Sequence, residues 1–145
     1  MEPEIIMNAY MNQYQNNQVL TASPEQILIM LYDGTIRFVR QAMQGIETGD
    51  LKSKLTGVTK ALNIITEFRK TLDHKIGGEL AADLDALYEY MSRELVKGNV
   101  QNSTESLKIV EGLLVGLRET WMKAIEINRK EAKEKSSLPV RAAAL

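Results

Sequence analysis

From Pro24 onward, apolar residues recur at three- and four-residue steps with polar residues between them, the period of helices that each bury one face. The clearest stripe is Leu51, Leu55, Val58, Leu62, Ile65, Phe68 and Leu72. No stretch alternates with period two between turn signals, as a half-buried strand would. Local signals cut the pattern into four segments. Ser23 reads as an N-cap, with Pro24 at the first helical position and Gln26 three residues past the cap, where the two side chains can satisfy free backbone N–H groups. That helix is expected to reach about Glu47. Gly49-Asp50 supplies a stop and a new cap, and Gly77-Gly78 supplies the next break. The third helix then carries Leu80, Leu84, Leu87, Met91 and Leu95 on one face before Gly98 ends it. A fourth starts near Asn102 or Ser103 and aligns Leu107, Val110, Leu114, Leu117, Trp121 and Ala124, with a charged extension to about Lys135.

Joints this short force sequential neighbours to run antiparallel. The predicted fold is therefore all-α, an antiparallel up-down-up-down four-helix bundle over residues 23–135. Residues 136–145 read as a disordered tail in which Ala142 to Leu145 have the look of a cloning scar. Residues 1–22 break the pattern: Asn8, Asn12, Asn16 and Asn17 mix with Tyr10, Tyr14, Val19 and Leu20. Such a segment is too polar to bury itself and too apolar for a plain linker, so it is expected to dock on the bundle as a short N-terminal cap. Tyr suits that role, with a large apolar face and one hydrogen-bonding tip.

The apolar content exceeds what a core stripe of about three residues in seven needs. Ile27, Leu28, Ile29, Met30 and Leu31 sweep around the first helix; Ile109, Leu113, Val115 and Met122 lie off the main stripe of the last; Ile64 sits beside Ile65 on the second. Either the core is thick and residues 1–22 cover the rest, or a groove awaits an amphipathic helix from a partner. Gly112 and Gly116, four apart inside a helix, imply close approach of another backbone, from the bundle or from a bound peptide. Tyr88 and Tyr90 stand about 200° apart on a helix, so one of them is exposed.

Composition narrows the function. Lys plus Arg number 18 against 19 Asp plus Glu, leaving no excess charge to attract nucleic acid or an anionic membrane. With no cysteine there is no disulfide, thiolate metal site or Cys nucleophile, which favours a reducing, cytoplasmic setting. The longest aliphatic run, Ile27 to Leu31, is far short of the roughly 20 residues of a membrane span. A di-iron bundle needs Glu-x-x-His on two helices, and the single histidine, His74, follows Thr71 at that spacing. His74 is expected at a helix C-terminus, on the rim rather than in a cleft. Gly77-Gly78 lacks the strand-loop-helix setting of a phosphate loop, and Asp83, Asp85 and Glu89 read as a solvated face. No enzyme activity, metal or other cofactor is expected.

Several words in fixed order are more specific: Tyr14-Gln15 with Asn17 and Val19, Thr21-Ala22-Ser23-Pro24, Met30-Leu31-Tyr32-Asp33-Gly34, Gly49-Asp50, Gly77-Gly78-Glu79-Leu80, Leu84 with Leu87-Tyr88-Glu89-Tyr90-Met91, and Glu119-Thr120-Trp121. Across about residues 8 to 127 this order resembles the flagellin export chaperone family, FliS. Ser92-Arg93-Glu94 departs from the more basic sequence of many members, and the resemblance leaves the tail after Glu126 unassigned. The resemblance implies a cytosolic chaperone that binds the disordered C-terminal region of flagellin, prevents early polymerisation and hands it to the flagellar type III export gate. Helical geometry then places Ile29, Ile64, Tyr88 and Leu113 in the client groove, with Tyr10 and Tyr14 anchoring the cap. The alternative is a self-associating bundle whose surplus apolar surface makes a homodimer.

Overall fold

The computed structural model describes residues 23–144, with side chains as far as residue 136; the cap expected at 1–22, with Tyr10 and Tyr14, lies outside the described residues. Four helices follow one another: α1 (Pro24–Thr48), α2 (Leu51–Thr71), α3 (His74–Gln101) and α4 (Thr104–Ala144). Each packs against its two neighbours in a ring, α1 on α2, α2 on α3, α3 on α4 and α4 back on α1. This is the antiparallel four-helix bundle that the short joints require.

The caps explain the boundaries. Ser23 Oγ accepts from the Gln26 N–H at 3.2 Å while Gln26 Oε1 accepts from the Ser23 N–H at 3.1 Å, a reciprocal box that starts α1. Gly49, at φ 73°, takes the left-handed conformation that closes α1. Asp50 then caps α2, one carboxylate oxygen accepting from the Ser53 N–H and the other from its hydroxyl.

Three expected helix ends move. α2 ends at Thr71 rather than at Gly77-Gly78, because Asp73 Oδ1 accepts from the N–H groups of Lys75 and Ile76 and so opens a new helix. Gly78, at φ 51° and ψ −122°, survives as a kink inside α3. His74 therefore stands at the first position of α3, the positive end of the helix dipole, opposite to the C-terminal placement expected for it. At the far end α3 passes Gly98 and closes on Asn102, whose φ of 50° turns its N–H back to the Gly98 carbonyl. Gly98 is instead a packing residue, since a Cβ there would meet Leu107 Cδ2 at 2.6 Å. The bounds of α4 reach Ala144, past the end expected near Lys135.

Tyr32, Val39, Ile64, Ile65, Met91, Leu95, Leu107, Val110 and Leu114 are essentially fully buried and form the centre of the core. Ile64 is thus core, and not the surplus that its position beside Ile65 suggested, because α2 turns a broad face to α1 and α3 together. Backbones approach closest between α1 and α2, where a Cβ on Gly57 would lie 2.8 Å from Ala42 N and one on Gly45 would lie 2.5 Å from Lys54 N. Among the described residues nothing lies within 4 Å of a Cβ on Gly112 or Gly116, so the close approach expected there is not made by a bundle helix, which leaves the bound-peptide alternative.

Candidate functional site

One end of the bundle core holds a polar knot. The hydroxyls of Tyr32 and Tyr88 are 2.5 Å apart, and Trp121 Nε1–H donates to Tyr32 Oη at 3.0 Å. The Phe68 ring stacks on Tyr32 at 4.8 Å between centroids and tilts against Tyr88 at 5.6 Å. Burial pushes both phenols above their ordinary range; for Tyr32 the hydrogen bonds from Tyr88 and Trp121 partly oppose that rise. The arrangement fills and satisfies the core and offers no cleft in which to do chemistry.

The exposed apolar surface lies elsewhere. Lys54, on the buried side of α2, extends to α3, where its Nζ donates to the Asn99 carbonyl at 3.0 Å and to Asn102 Oδ1 at 2.8 Å. This contact fixes the register between the start of α2 and the end of α3. Leu51 and Leu55 flank Lys54 at −3 and +1, and Val96 and Val100 flank Asn99 at the same offsets. All four are open to solvent, Leu51 at 68% and Val100 at 72% of full exposure. Helical spacing sets the two i,i+4 pairs on the same side of the Lys54 contact, on antiparallel neighbouring helices, where they frame a candidate groove. Arg69 and Asp85 pair across the same two helices at 2.8 Å, and the guanidinium holds the Asp85 carboxyl below the usual carboxylate range.

Leu51 and Leu55 were expected on the core stripe of α2, and Leu80 on that of α3. Each is exposed instead. At its start α2 turns so that Lys54, Gly57 and Val58 face inward, and just past the Gly78 kink Ala81 takes the buried place.

The predicted groove residues separate by depth. Ile64 is 0% and Tyr88 3% exposed, so in this conformation neither can touch a partner docked on the surface. The other tyrosine of that pair, Tyr90, is the exposed one. Ile29 is half-buried near the start of α1. Leu113 is half-buried on α4, packed on the core, and Ile109 one turn earlier is exposed. Sequence reasoning missed Leu51, Leu55, Val96 and Val100. A signal was present for the valines, which lie a turn apart and off the Met91–Leu95 face.

On the opposite side of the ring, α1 and α4 are joined by two ion pairs, Arg40 Nε to Glu111 Oε2 at 2.7 Å and Arg118 to Asp33. Among the described residues no three His, Cys, Asp or Glu side chains group as metal ligands, and no helix is long and apolar enough to cross a membrane.

Comparison with known proteins gives a consistent answer. The profile of the family described as flagellar protein FliS matches residues 6–128. The chain is 43% identical over 126 residues to the flagellar secretion chaperone FliS of Bacillus subtilis, a match that covers 87% of this chain and 92% of the relative. Against the flagellar secretion chaperone FliS of Salmonella typhimurium it is 38% identical over 116 residues, 79% of this chain and 86% of the relative. Among solved structures, a bacterial flagellar chaperone superposes with a TM-score of 0.67 at 22% identity, covering 83% of this chain and 97% of the other, a likeness of fold.

Proposed function

The chain belongs to the FliS family of flagellar secretion chaperones, and from that membership we propose that it binds the disordered C-terminal region of flagellin in the cytoplasm, keeps it from polymerising and delivers it to the flagellar export apparatus. It acts by binding alone, without catalysis or cofactor.

One observation carries the reading: Leu51, Leu55, Val96 and Val100 stand exposed on α2 and α3 beside the Lys54 contact that joins these helices, and no described element covers them. Covering a half-exposed Leu or Val contributes roughly 1 kcal/mol. Several such contacts, less the ordering cost of a disordered client, suit a hold of about micromolar strength that a competing site can release. The exposed Ile109 and half-buried Leu113 on α4 extend the apolar surface to the other side of α3. Ile29, near the start of α1, lies at the other end of the bundle from Leu51 and Leu55 and would meet a different stretch of an extended client, whereas Ile64 and Tyr88 act from within the core. Tyr10 and Tyr14 retain the role of anchoring a displaceable cap.

Calorimetric titration with a C-terminal flagellin peptide from the same organism tests this. Micromolar binding is expected, at least ten-fold weaker for the Leu55→Glu/Val100→Glu double variant at unchanged helicity. Equal affinity for the variant would remove the groove from the proposal. Absence of binding, with residues 1–20 present and with them deleted, would overturn the function itself. The same exposed pairs also favour one alternative, a homodimer; a dimer that survives dilution without client and dissociates in the double variant would support it.

A further inference from the structure

On the side of the bundle opposite the α2–α3 groove, α1 and α4 enclose an open recess of about 360 Å³ lined by Asp33, Ile36, Arg37, Arg40, Val115 and Arg118. Its two ends are closed by the interhelical pairs Arg118–Asp33 and Arg40–Glu111. Between them, one turn from each on α1, stands Arg37, which is exposed and has no ion pair or hydrogen bond among the described residues. Val115 occupies the corresponding place on α4, one turn from both Glu111 and Arg118, and Ile36 is the buried apolar floor. Just beyond the Asp33–Arg118 pair, Met30 precedes Asp33 by three residues and Met122 follows Arg118 by four, so helical spacing sets both methionines on the faces of α1 and α4 that border the recess. Met122 is 46% exposed.

We propose that this groove is a second docking surface, which takes an amphipathic helix of a partner polypeptide by a carboxylate side chain on Arg37 and an apolar side chain on Met30 and Met122. The charges choose the ligand. Three guanidiniums face the two carboxylates of Asp33 and Glu111, leaving a single positive charge to be matched; a monoanion completes the set, whereas a dianionic phosphate would meet both carboxylates at close range. The guanidiniums of Arg40 and Arg118 already hold carboxylates here, and the planar fork of Arg37 can take one in the same way. Seven residues separate Arg37 from Met30, about 10 Å along α1, so the partner must present its acidic and apolar residues about two helical turns apart. Met is suited to the apolar contact because its flexible thioether adapts to varied shapes. The surface lies across the ring from the proposed client groove, and both can be occupied at once.

The test is a titration of the full-length, isotopically labelled protein, followed by nuclear magnetic resonance, with a 16-residue helical peptide carrying Glu and Leu seven positions apart and with the same peptide carrying Gln for Glu. The expected result is saturable shifts at the Arg37 Nε–H and the Met30 and Met122 methyls, at least ten-fold tighter binding of the Glu peptide, and loss of that preference in Arg37→Gln. Arg37 is exposed, so this variant leaves the fold intact. Absence of saturable shifts at these groups, equal affinity for the Gln peptide, or undiminished binding to Arg37→Gln would each overturn the proposal. Leu55→Glu/Val100→Glu should leave these shifts unchanged, which separates this surface from the client groove.

Discussion

The hydroxyls of Tyr32 and Tyr88 meet at 2.5 Å across the diagonal of the bundle, joining α1 to α3, which are not neighbours in the ring of helices. Tyr32 is also the acceptor for Trp121 on α4, so one oxygen connects three helices. Buried donors and acceptors that lose their only partner cost about 1–3 kcal/mol each. Tyr32→Phe removes the partner of both Tyr88 and Trp121, whereas Tyr88→Phe leaves the Trp121 bond in place. Urea unfolding should show about 2–4 kcal/mol lost for the first variant and about 1 kcal/mol for the second; the reverse order would mean that the knot is not centred on Tyr32.

Gly57 and Gly112 should respond to alanine with opposite signs. A Cβ at Gly57 would lie 2.8 Å from the Ala42 backbone nitrogen, so α1 and α2 must separate, at a cost of about 2 kcal/mol or more. Gly112 and Gly116 meet nothing among the described residues, and alanine there gains helix propensity, up to about 1 kcal/mol at each site. Thermal melts of the three single variants decide it; a lowered melting temperature for Gly112→Ala would place a neighbour on that face of α4.

Lys54 is nearly buried, and its ammonium satisfies the Asn99 carbonyl and the Asn102 side chain at the end of α3. Lys54→Met keeps the aliphatic stem but leaves both acceptors without their donor. A loss of about 1–3 kcal/mol is expected in denaturant unfolding, together with faster amide exchange at residues 99–103. Unchanged exchange there would show that the contact does not hold the helix end.

Asp50 caps α2, and the hydrogen bonds from the Ser53 N–H and hydroxyl hold its carboxyl below the usual carboxylate range. Because the folded value is the lower one, the stabilisation is present above the unfolded value, near pH 4, and is lost as pH falls through the folded value. Asp50→Ser keeps a capping oxygen that does not titrate. Its stability should fall less steeply than that of the parent below about pH 4; parallel acid limbs in urea midpoints measured from pH 6 to 3 would exclude Asp50 as a contributor.

The phenols give the alkaline counterpart. Burial raises both Tyr32 and Tyr88, so the folded state prefers them neutral, and that preference stabilises fully below the unfolded value of about 10 and is lost as pH rises toward the folded values. Stability should therefore drop above about pH 10. In the Tyr32→Phe/Tyr88→Phe double variant, weaker at neutral pH, the alkaline slope should be shallower; an unchanged slope would assign the loss to other groups.

Local signals determined much of this protein. Ser23 with Gln26, the Gly49-Asp50 stop and cap, and the three- and four-residue recurrence of Leu, Ile and Val specify helices by short-range sterics and hydrogen bonding, and short joints leave only antiparallel neighbours. The ordered words from Tyr14 to Trp121 pointed to the family to which the chain belongs. What these signals could not settle was which way each helix turns its faces. Leu51, Leu55 and Leu80 fit a core stripe as well as Lys54 and Ala81 fit a solvated one, yet the structure exchanges them, because a helix buries whichever face its two neighbours cover. The same holds for His74, whose place at a helix start depends on Asp73 capping ahead of the two glycines. Tyr88 carried the features of an exposed anchor, but its partner Tyr32 lies 56 residues away on a helix that is not adjacent in the ring. Periodicity reports the angle between residues on one helix; only packing supplies the angle between helices, and with it the two grooves on opposite sides of the bundle.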